Sequence, residues 1–548
     1  MIGDLWYKNA IVYSLDVETY LDANGDGCGD FEGLSRRLDY LDALGVDAVW
    51  LAPFQPSPRR DDGYDVADYF GVDPRFGSGG DFVEFMREAD SRGIRVLIDL
   101  VVNHTSDRHP WFRAGRDRAS SFHDWYVWSK RRPANWRSGV VFPGVQKRTW
   151  TFDRVAREYF FHRFYDFQPD LDMDNPRVRE EVRRIMGFWL QLGVAGFRVD
   201  AVPFVLEKPP CGRSKQRIHF EYLREFREFL QWRVGDAVLL GEANVPPEES
   251  LAYFASDDGL HLMFNFWVNQ HLFLALAAGD ARPLAQALQA TRKLPPTAQW
   301  AHFLRNHDEL DLGRLAAADR ALVFEQFGPE RSMQLYGRGL RRRSAPMLGD
   351  VRRLQLAHSL VLSLPGTPVL RYGDEIGMGE DLRLKERAAI RTPMQWSDER
   401  NAGFSATAGA LVRPVIDRGM FAYEHVNVEQ QRRDPDSLLQ WTARMIRLRK
   451  QCPEIGWGEW RVVAAGARSV LAVEYRWRGN TIVCVHNVSG EQCEAKLRLG
   501  GGVLSNLVDV EQLKADGRGV HRVALEPFGY RWFRLGEVNR ALARESVG

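Results

Sequence analysis

One pattern dominates the chain and few folds can absorb it. Short, nearly continuous apolar runs end in polar or charged residues, and amphipathic helical stretches lie between most of them. The runs are Ile11–Tyr13, Asp47–Pro53, Arg95–His104, Gly196–Asp200, Ala237–Glu242, Leu260–Asn265, Phe303–Asp308 and Pro368–Glu375. A strand that is apolar at nearly every position is buried on both faces, as in a parallel sheet covered by helices. Phe82–Ala89 and Val178–Leu190 carry apolar residues at helical spacing. Eight such strands alternating with helices predict an α/β fold, a closed (β/α)8 TIM barrel. In that fold the polar residues at strand C-termini face the catalytic mouth.

Two interruptions set the domain plan. The stretch from His104 to Gly196 is too long for one crossover, and residues 105–168 are rich in Trp, Arg, Ser and Pro. They predict a subdomain inserted after strand three and overhanging the site. Ser437 caps a final helix from Leu438 to about Lys450. Beyond Trp457 the pattern changes to strands, Val470–Tyr475, Thr481–Val485 and Tyr530–Phe533, with turns such as Arg478-Gly479-Asn480. This predicts a C-terminal antiparallel β-sandwich. The expected plan is barrel 1–104, inserted subdomain B 105–168, barrel 169–456 and β-sandwich 457–548.

Composition narrows the partners. Lys and Arg number 74 against 73 Asp and Glu, a balance that argues against nucleic acid or an anionic membrane. No apolar stretch reaches the ~18 residues of a membrane helix. The opening Met1–Lys8 lacks a basic region followed by an apolar run. The five cysteines, Cys28, Cys211, Cys452, Cys484 and Cys493, are scattered and odd in number, and no CxxC pair occurs. Free thiols in a reducing, cytoplasmic setting are expected, without a structural zinc.

Asp200, Glu242 and Asp308 each close an expected strand. A barrel would deliver all three carboxylates to one face. Retaining glycoside cleavage needs a nucleophilic carboxylate and a protonated acid about 5–5.5 Å apart. Mutual repulsion helps to keep the acid protonated. One acidic residue at a strand end is ordinarily a solvated loop or a helix cap. Three, with Arg198, His104 and His307 beside them, argue for a site.

These segments resemble a known family. Asp99–His104, Gly196–Asp200, Gly241–Ala243 and Asn306–Asp308 are similar to the four sequence regions of the α-amylase family (glycoside hydrolase family 13). Gln168–Asp172 resembles its fifth region, in the form of the oligo-1,6-glucosidase branch. The pattern is most similar to the trehalose synthase (maltose α-D-glucosyltransferase) branch, through Ser57–Asp65, Phe303–Leu310, Gly373–Gly379, Arg391–Trp396 and Asn401–Ser405.

The resemblance implies roles. Asp200 would be the nucleophile, Glu242 the acid and base, and Asp308 the grip on the sugar 2- and 3-hydroxyls. Arg198 would orient Asp200. His104 and His307 would donate to sugar hydroxyls, and Tyr64 would stack under the glucose ring. Asp61 and Arg391 would close the far end of the pocket and select exo-action on short sugars. Ala201 is more similar to α-1,4-acting members than the Val of α-1,6-acting ones. The implied reaction interconverts maltose and trehalose through a glucosyl-Asp200. The alternative is a hydrolytic α-glucosidase or an amylase-like enzyme on short α-1,4-glucans. The implied partner is a small sugar, and association as a homodimer is expected from related enzymes.

Asp22–Asp30 places oxygen donors at alternate positions, like the first half of an EF-hand loop. Position twelve is Gly33, not Glu, so the EF-hand is incomplete. A compact structural Ca2+ site, with Mg2+ as alternative, is expected from Asp22, Asn24, Asp26, Asp30 and the Cys28 carbonyl. A Gly-rich turn without metal is the competing reading. A second site at Asn103 and Asp170 is implied by the resemblance alone. No organic cofactor is expected.

Three segments depart from the branch pattern. Trehalose synthases usually carry a His-Val-Arg-Ser-Phe-like stretch after the first strand, and here it reads Asp16-Val17-Glu18-Thr19-Tyr20. Leu206–Gly212 and Leu384–Arg387 also differ. These loops are expected at the rim, where retention of released glucose separates isomerase from hydrolase.

Overall fold

The structure, a computed structural model, describes residues 3–207 and 218–536. Eight parallel strands close into a barrel in chain order: Val12–Leu15, Ala48–Leu51, Arg95–Leu100, Gly196–Val199, Val238–Gly241, Leu262–Phe264, Gln299–Phe303 and Thr367–Arg371. Val12 of strand one pairs with Ala48 of strand two and Val369 of strand eight, which closes the ring. Side chains alternate across its wall. Val12, Trp50, Leu97, Leu240, Phe264 and Phe303 fill the interior. Tyr13, Val49, Ile98, Phe197 and Leu239 point outward into the larger core under the helices.

Strand seven corrects the sequence reading. The apolar run placed it at Phe303–Asp308, but the strand is Gln299–Phe303. Residues 304–308 form a loop at the barrel mouth. Arg305 braces it, donating through Nη2 to the Asp308 carbonyl at 2.7 Å and through Nε to the Arg342 carbonyl at 2.7 Å.

The helices start where local chemistry predicts. Pro176–Gln191 follows an Asn175 cap that accepts from the Arg177 amide, with Pro at the first helical position. Val178, Val182, Ile185 and Trp189 form its buried stripe. Gly79–Ser91 opens with a Ser78–Asp81 capping box. Leu438–Lys450 begins after Ser437, which accepts from the Gln440 amide.

Between strands three and four the chain builds a helix, Pro110–Gly115, and a three-stranded antiparallel sheet of Trp128–Ser129, Glu158–Phe161 and Trp150–Asp153. Bridges His104–Asp170 and Tyr126–Leu171 fasten this segment to the mouth. At the C-terminal end lies a six-stranded antiparallel sheet running from Glu459–Val463 to Gln512–Lys514 in spatial order, with a two-stranded sheet, Cys493–Arg498 and Val520–Leu525, beside it. Ala472, Val485, Leu497 and Val523 fill the space between the sheets. The other face, with Val473, Tyr475 and Trp532, joins the barrel's outer core. There Trp532 Nε1 donates to Ser359 Oγ at 3.0 Å, and the Tyr475 hydroxyl donates to the Ser363 carbonyl.

Among the described residues no helix is long and apolar enough to cross a membrane. Cys28, Cys452, Cys484 and Cys493 are free thiols. Cys211 and most of the Leu206–Gly212 departure lie outside the described residues.

Candidate active site

Period-two alternation puts the charged cluster inside the barrel. Leu97 faces inward, so Asp99 does as well, and it stands opposite Arg198 in the register of strands three and four. Phe197 and Val199 face outward, so Arg198 and Asp200 face inward. In strand five Leu240 faces inward, and two residues later so does Glu242. Gly196 (φ 151°) lets these strands approach: a Cβ there would lie 2.3 Å from the Val238 carbonyl oxygen.

Arg198 is fully buried at the centre. Its Nη1 lies 2.5 Å from Asp99 Oδ1 and 2.7 Å from Asp200 Oδ1, and its Nη2 lies 2.7 Å from Glu242 Oε2. Ala201, next to Asp200, adopts a left-handed φ of 47°, and its amide donates to Glu242 Oε2 at 3.2 Å. That conformation is costly for a residue with a Cβ, and here it aims an amide at a carboxylate. The Tyr64 hydroxyl lies 2.8 Å from His307 Nε2 and donates to Asp99 Oδ2 at 3.2 Å, and the Tyr64 and His307 rings stack.

Asp308 sits on the loop after strand seven between two arginines. Arg387 Nη1 lies 2.9 Å from Asp308 Oδ1, and Arg391 Nη2 lies 3.0 Å from the same oxygen. Arg391 also donates through Nε to the His307 carbonyl at 2.7 Å and pairs with Asp62. Asp62, beside the expected Asp61, is the carboxylate that pairs with Arg391, while Asp61 accepts from Gln168 Nε2 at 2.8 Å. Asp62 (φ 50°) is in the left-handed region, and that turn sends two adjacent acids in different directions.

Asp61, Tyr64, His104, Asp200, Glu242 and Asp308 line one cavity of about 590 Å³, and Arg387 and Phe142 belong to its rim. Beyond Tyr64 and His307 the remaining space is about 10 Å³, roughly one water's worth, so the cavity is closed at that end.

Three carboxylates share one guanidinium, so the cluster carries more negative charge than its cation neutralises. Burial pushes Asp200 up to about 7 against the pull of Arg198, and Asp99 and Asp308 add to the rise. Burial likewise pushes Glu242 up to about 7, with Asp200 and Asp308 adding to it. Burial lifts Asp99 to about 6. Asp308 goes the other way: burial disfavours its charge, yet Arg387 and Arg391 hold it well below the usual carboxylate range. Burial keeps His307 well below its ordinary value and lowers His104 to about 4, so both rings are neutral at pH 7.

All nine residues read from the sequence for chemistry or substrate lie at this mouth. His104 Nε2 lies 2.9 Å from the Tyr64 carbonyl, a bond that uses its N–H internally. Sequence reasoning missed Asp99, Asp62 and Arg387. Asp99 opened a quoted motif and Arg387 ended a flagged departure, so each had a signal without a role.

The loop expected to hold a metal has its side-chain oxygens turned onto its own amides. Asp22 accepts from the Gly25 and Gly27 amides at 2.7 and 2.8 Å and from the Ser405 hydroxyl at 2.5 Å. Asp30 caps the next helix through Gly33 and accepts from the Ala23 and Asn24 amides. Asn24 and Asp26 accept from the amides of Asp26 and Cys28. The donors are all hard oxygens, which suits Ca2+ or Mg2+. Among the described residues, however, no three His, Cys, Asp or Glu side chains gather as metal ligands. Asp170, buried, accepts from the Arg163 amide at 2.8 Å and from Asn103.

A closed parallel barrel whose mouth holds a carboxylate cluster over a pocket shut at one end defines a class of glycoside-active enzymes. The chain belongs to the α-amylase family: residues 17–458 match the alpha amylase catalytic domain. Residues 479–534 match the sucrose hydrolase-like C-terminal domain. The chain is 41% identical over 544 residues to a trehalose synthase of Thermus thermophilus, covering 98% of this chain and 56% of that relative, little more than half its length. It is 40% identical over 549 residues to a trehalose synthase of Pimelobacter sp. (strain R48), covering 97% of this chain and 96% of that one. The solved trehalulose synthase MutB from Pseudomonas mesoacidophila MX-45 superposes with TM-score 0.77 at 25% identity, covering 97% of this chain and 99% of that one.

Proposed function

We propose that the chain is a retaining α-glucosyl-transferring enzyme that interconverts maltose and trehalose. The observation that carries this reading is Arg198 holding Asp200 and Glu242 side by side beneath a cavity closed behind Tyr64 and His307. A closed end favours a single non-reducing glucosyl unit over a mid-chain segment of starch. Relatives named trehalose synthase, matched over nearly the whole chain, favour transfer to sugar over transfer to water.

In this reading Asp200 attacks the anomeric carbon as Glu242 gives its proton to the glycosidic oxygen. The carbon–oxygen bond breaks, a glucosyl ester forms on Asp200, and glucose is left in the cavity. The freed glucose turns and presents its anomeric hydroxyl. Glu242 takes that proton, the oxygen attacks the anomeric carbon, the bond from that carbon to Asp200 breaks, and Asp200 leaves as carboxylate. Asp308, kept ionised by its arginines, accepts from sugar hydroxyls, and these bonds accelerate the reaction as far as they strengthen in the flattened transition state. Water that reaches the ester first yields glucose, so a minor hydrolytic leak belongs to the same mechanism.

The all-oxygen loop at Asp22–Asp30 is proposed as a structural Ca2+ or Mg2+ site, and Asn103 with Asp170 as a second one. Neither takes part in the chemistry. Free described cysteines support a reducing, cytoplasmic setting. The test is purified enzyme with maltose, with products separated by chromatography. Trehalose with minor glucose is expected, and glucose without trehalose would sink the reading.

A further inference from the structure

The segment after strand one carries a charge reversal. Where the resembled branch usually has His and Arg, this chain has Asp16 and Glu18. Glu18 is buried, and unpaired charge there would be costly. The structure answers it with three arginines. Asp16 pairs with Arg371. Glu18 pairs with Arg59, and its Oε1 lies 3.1 Å from Arg413 Nη2.

The pairing continues to the pocket. Arg413 Nη2 lies 2.5 Å from Asp62 Oδ1, and its Nη1 donates to the Arg391 carbonyl at 3.2 Å. Arg391 in turn pairs with Asp62 and Asp308. Asp16, Glu18 and Asp62 therefore face Arg59, Arg391 and Arg413 around the small closed space behind Tyr64, with positive and negative charges in balance.

We propose that Glu18 and Arg413 are positioning residues that set Arg391 and with it the closed end of the sugar pocket, making them determinants of affinity for a terminal glucosyl unit. This rests on the cavity being the glucosyl pocket of the proposed function. With Glu18 neutral, Arg59 and Arg413 have Asp62 as their shared counter-charge and draw it away from Arg391. Arg391 then loses its anchor. Arg387 still holds Asp308, and the Arg198 cluster is untouched. Ground-state binding should suffer more than the chemical step.

The experiment measures p-nitrophenol release from p-nitrophenyl α-D-glucopyranoside, with free glucose as competitive inhibitor, in wild type, Glu18→Gln and Arg413→Gln. KM and the glucose inhibition constant should both rise about tenfold, with kcat changed less than about threefold. Unchanged KM and inhibition constant would overturn the proposal, as would a fall confined to kcat. If the Gln variants cannot be recovered folded, Glu18→Asp, which keeps the charge but shortens the reach, is judged by the same split. The assay does not require trehalose to form. Maltose giving glucose alone would remove the isomerase reading and leave this test standing.

Discussion

Arg387 Nη1 lies 2.9 Å from Asp308 Oδ1, and the same guanidinium places Nε 2.8 Å from Glu309 Oε2. Its plane lies over Phe142, 5.0 Å from the ring centroid, and near Tyr336 at 5.6 Å. One side chain thus joins the carboxylate cluster to the inserted segment and to the hairpin after strand seven, Gln334–Leu335 paired with Gly339–Leu340. Arg387→Ala should loosen the rim and free Asp308 of one cation. We expect kcat/KM on maltose to fall roughly tenfold to a hundredfold, and glucose to rise as a share of product. Chromatography of the reaction mixture reads both. An unchanged trehalose-to-glucose ratio would show that this rim does not govern water access.

Asp200→Asn leaves the hydrogen-bonding shape at Arg198 but removes the nucleophile. Activity should fall by about 10⁴-fold or more, without change in the circular dichroism spectrum. Retained turnover above a hundredth of wild type would dismiss Asp200 from that role.

Glu242 makes a prediction with a definite sign. Its folded pKa, about 7, lies above its unfolded value of about 4.3. Between those values the folded state binds more protons than the unfolded, so stability falls as pH rises through that window. Glu242→Gln carries no such loss. Its melting temperature should match wild type near pH 4 and exceed it increasingly up to pH 7, then run parallel. The gap is at most about 4 kcal/mol, less what the 21% exposure of the side chain screens. A variant less stable than wild type at pH 8 would contradict the charge crowding at Arg198.

Chelation tests the loop at Asp22–Asp30. EDTA should lower the melting temperature by a few degrees, and Ca2+ in excess should restore it. Unchanged melting, with no metal by elemental analysis, would mean that the amide bonds to Asp22 and Asp30 hold the loop alone.

Asp200 and Glu242 were legible because each closes an apolar run, and a barrel turns the C-terminal ends of its strands to one mouth. Which face of the strand each side chain takes came from the structure: Phe197 outward makes Asp200 inward. The loop carrying Asp308 was not legible in this way. Leu304 prolongs the apolar run past the true strand end at Phe303, and the brace from Arg305 to the Arg342 carbonyl is long-range and silent in composition. The different partners of Asp61 and Asp62 have another origin. Two identical side chains in sequence differ only in the left-handed backbone at Asp62, a conformation that Asp tolerates and a sequence does not announce. Arg387 stood in plain view within a departing segment, yet its partners come from the inserted segment and the hairpin after strand seven, and no spacing rule connects those three.

Helix Val351–Ser363 leads directly into strand eight, which carries Arg371, and the far side of that helix is gripped by Trp532 and Tyr475 of the C-terminal sheet. A break in the sequence pattern near residue 457 therefore does not coincide with a mechanical seam. Excising the last domain would strip the berth from Ser359 and Ser363 and unseat the strand opposite Asp16. In recombining this chain with its relatives, the unit to exchange is the helix together with the sheet that clasps it. A crossover at 457 would join two halves that had never been fitted to each other.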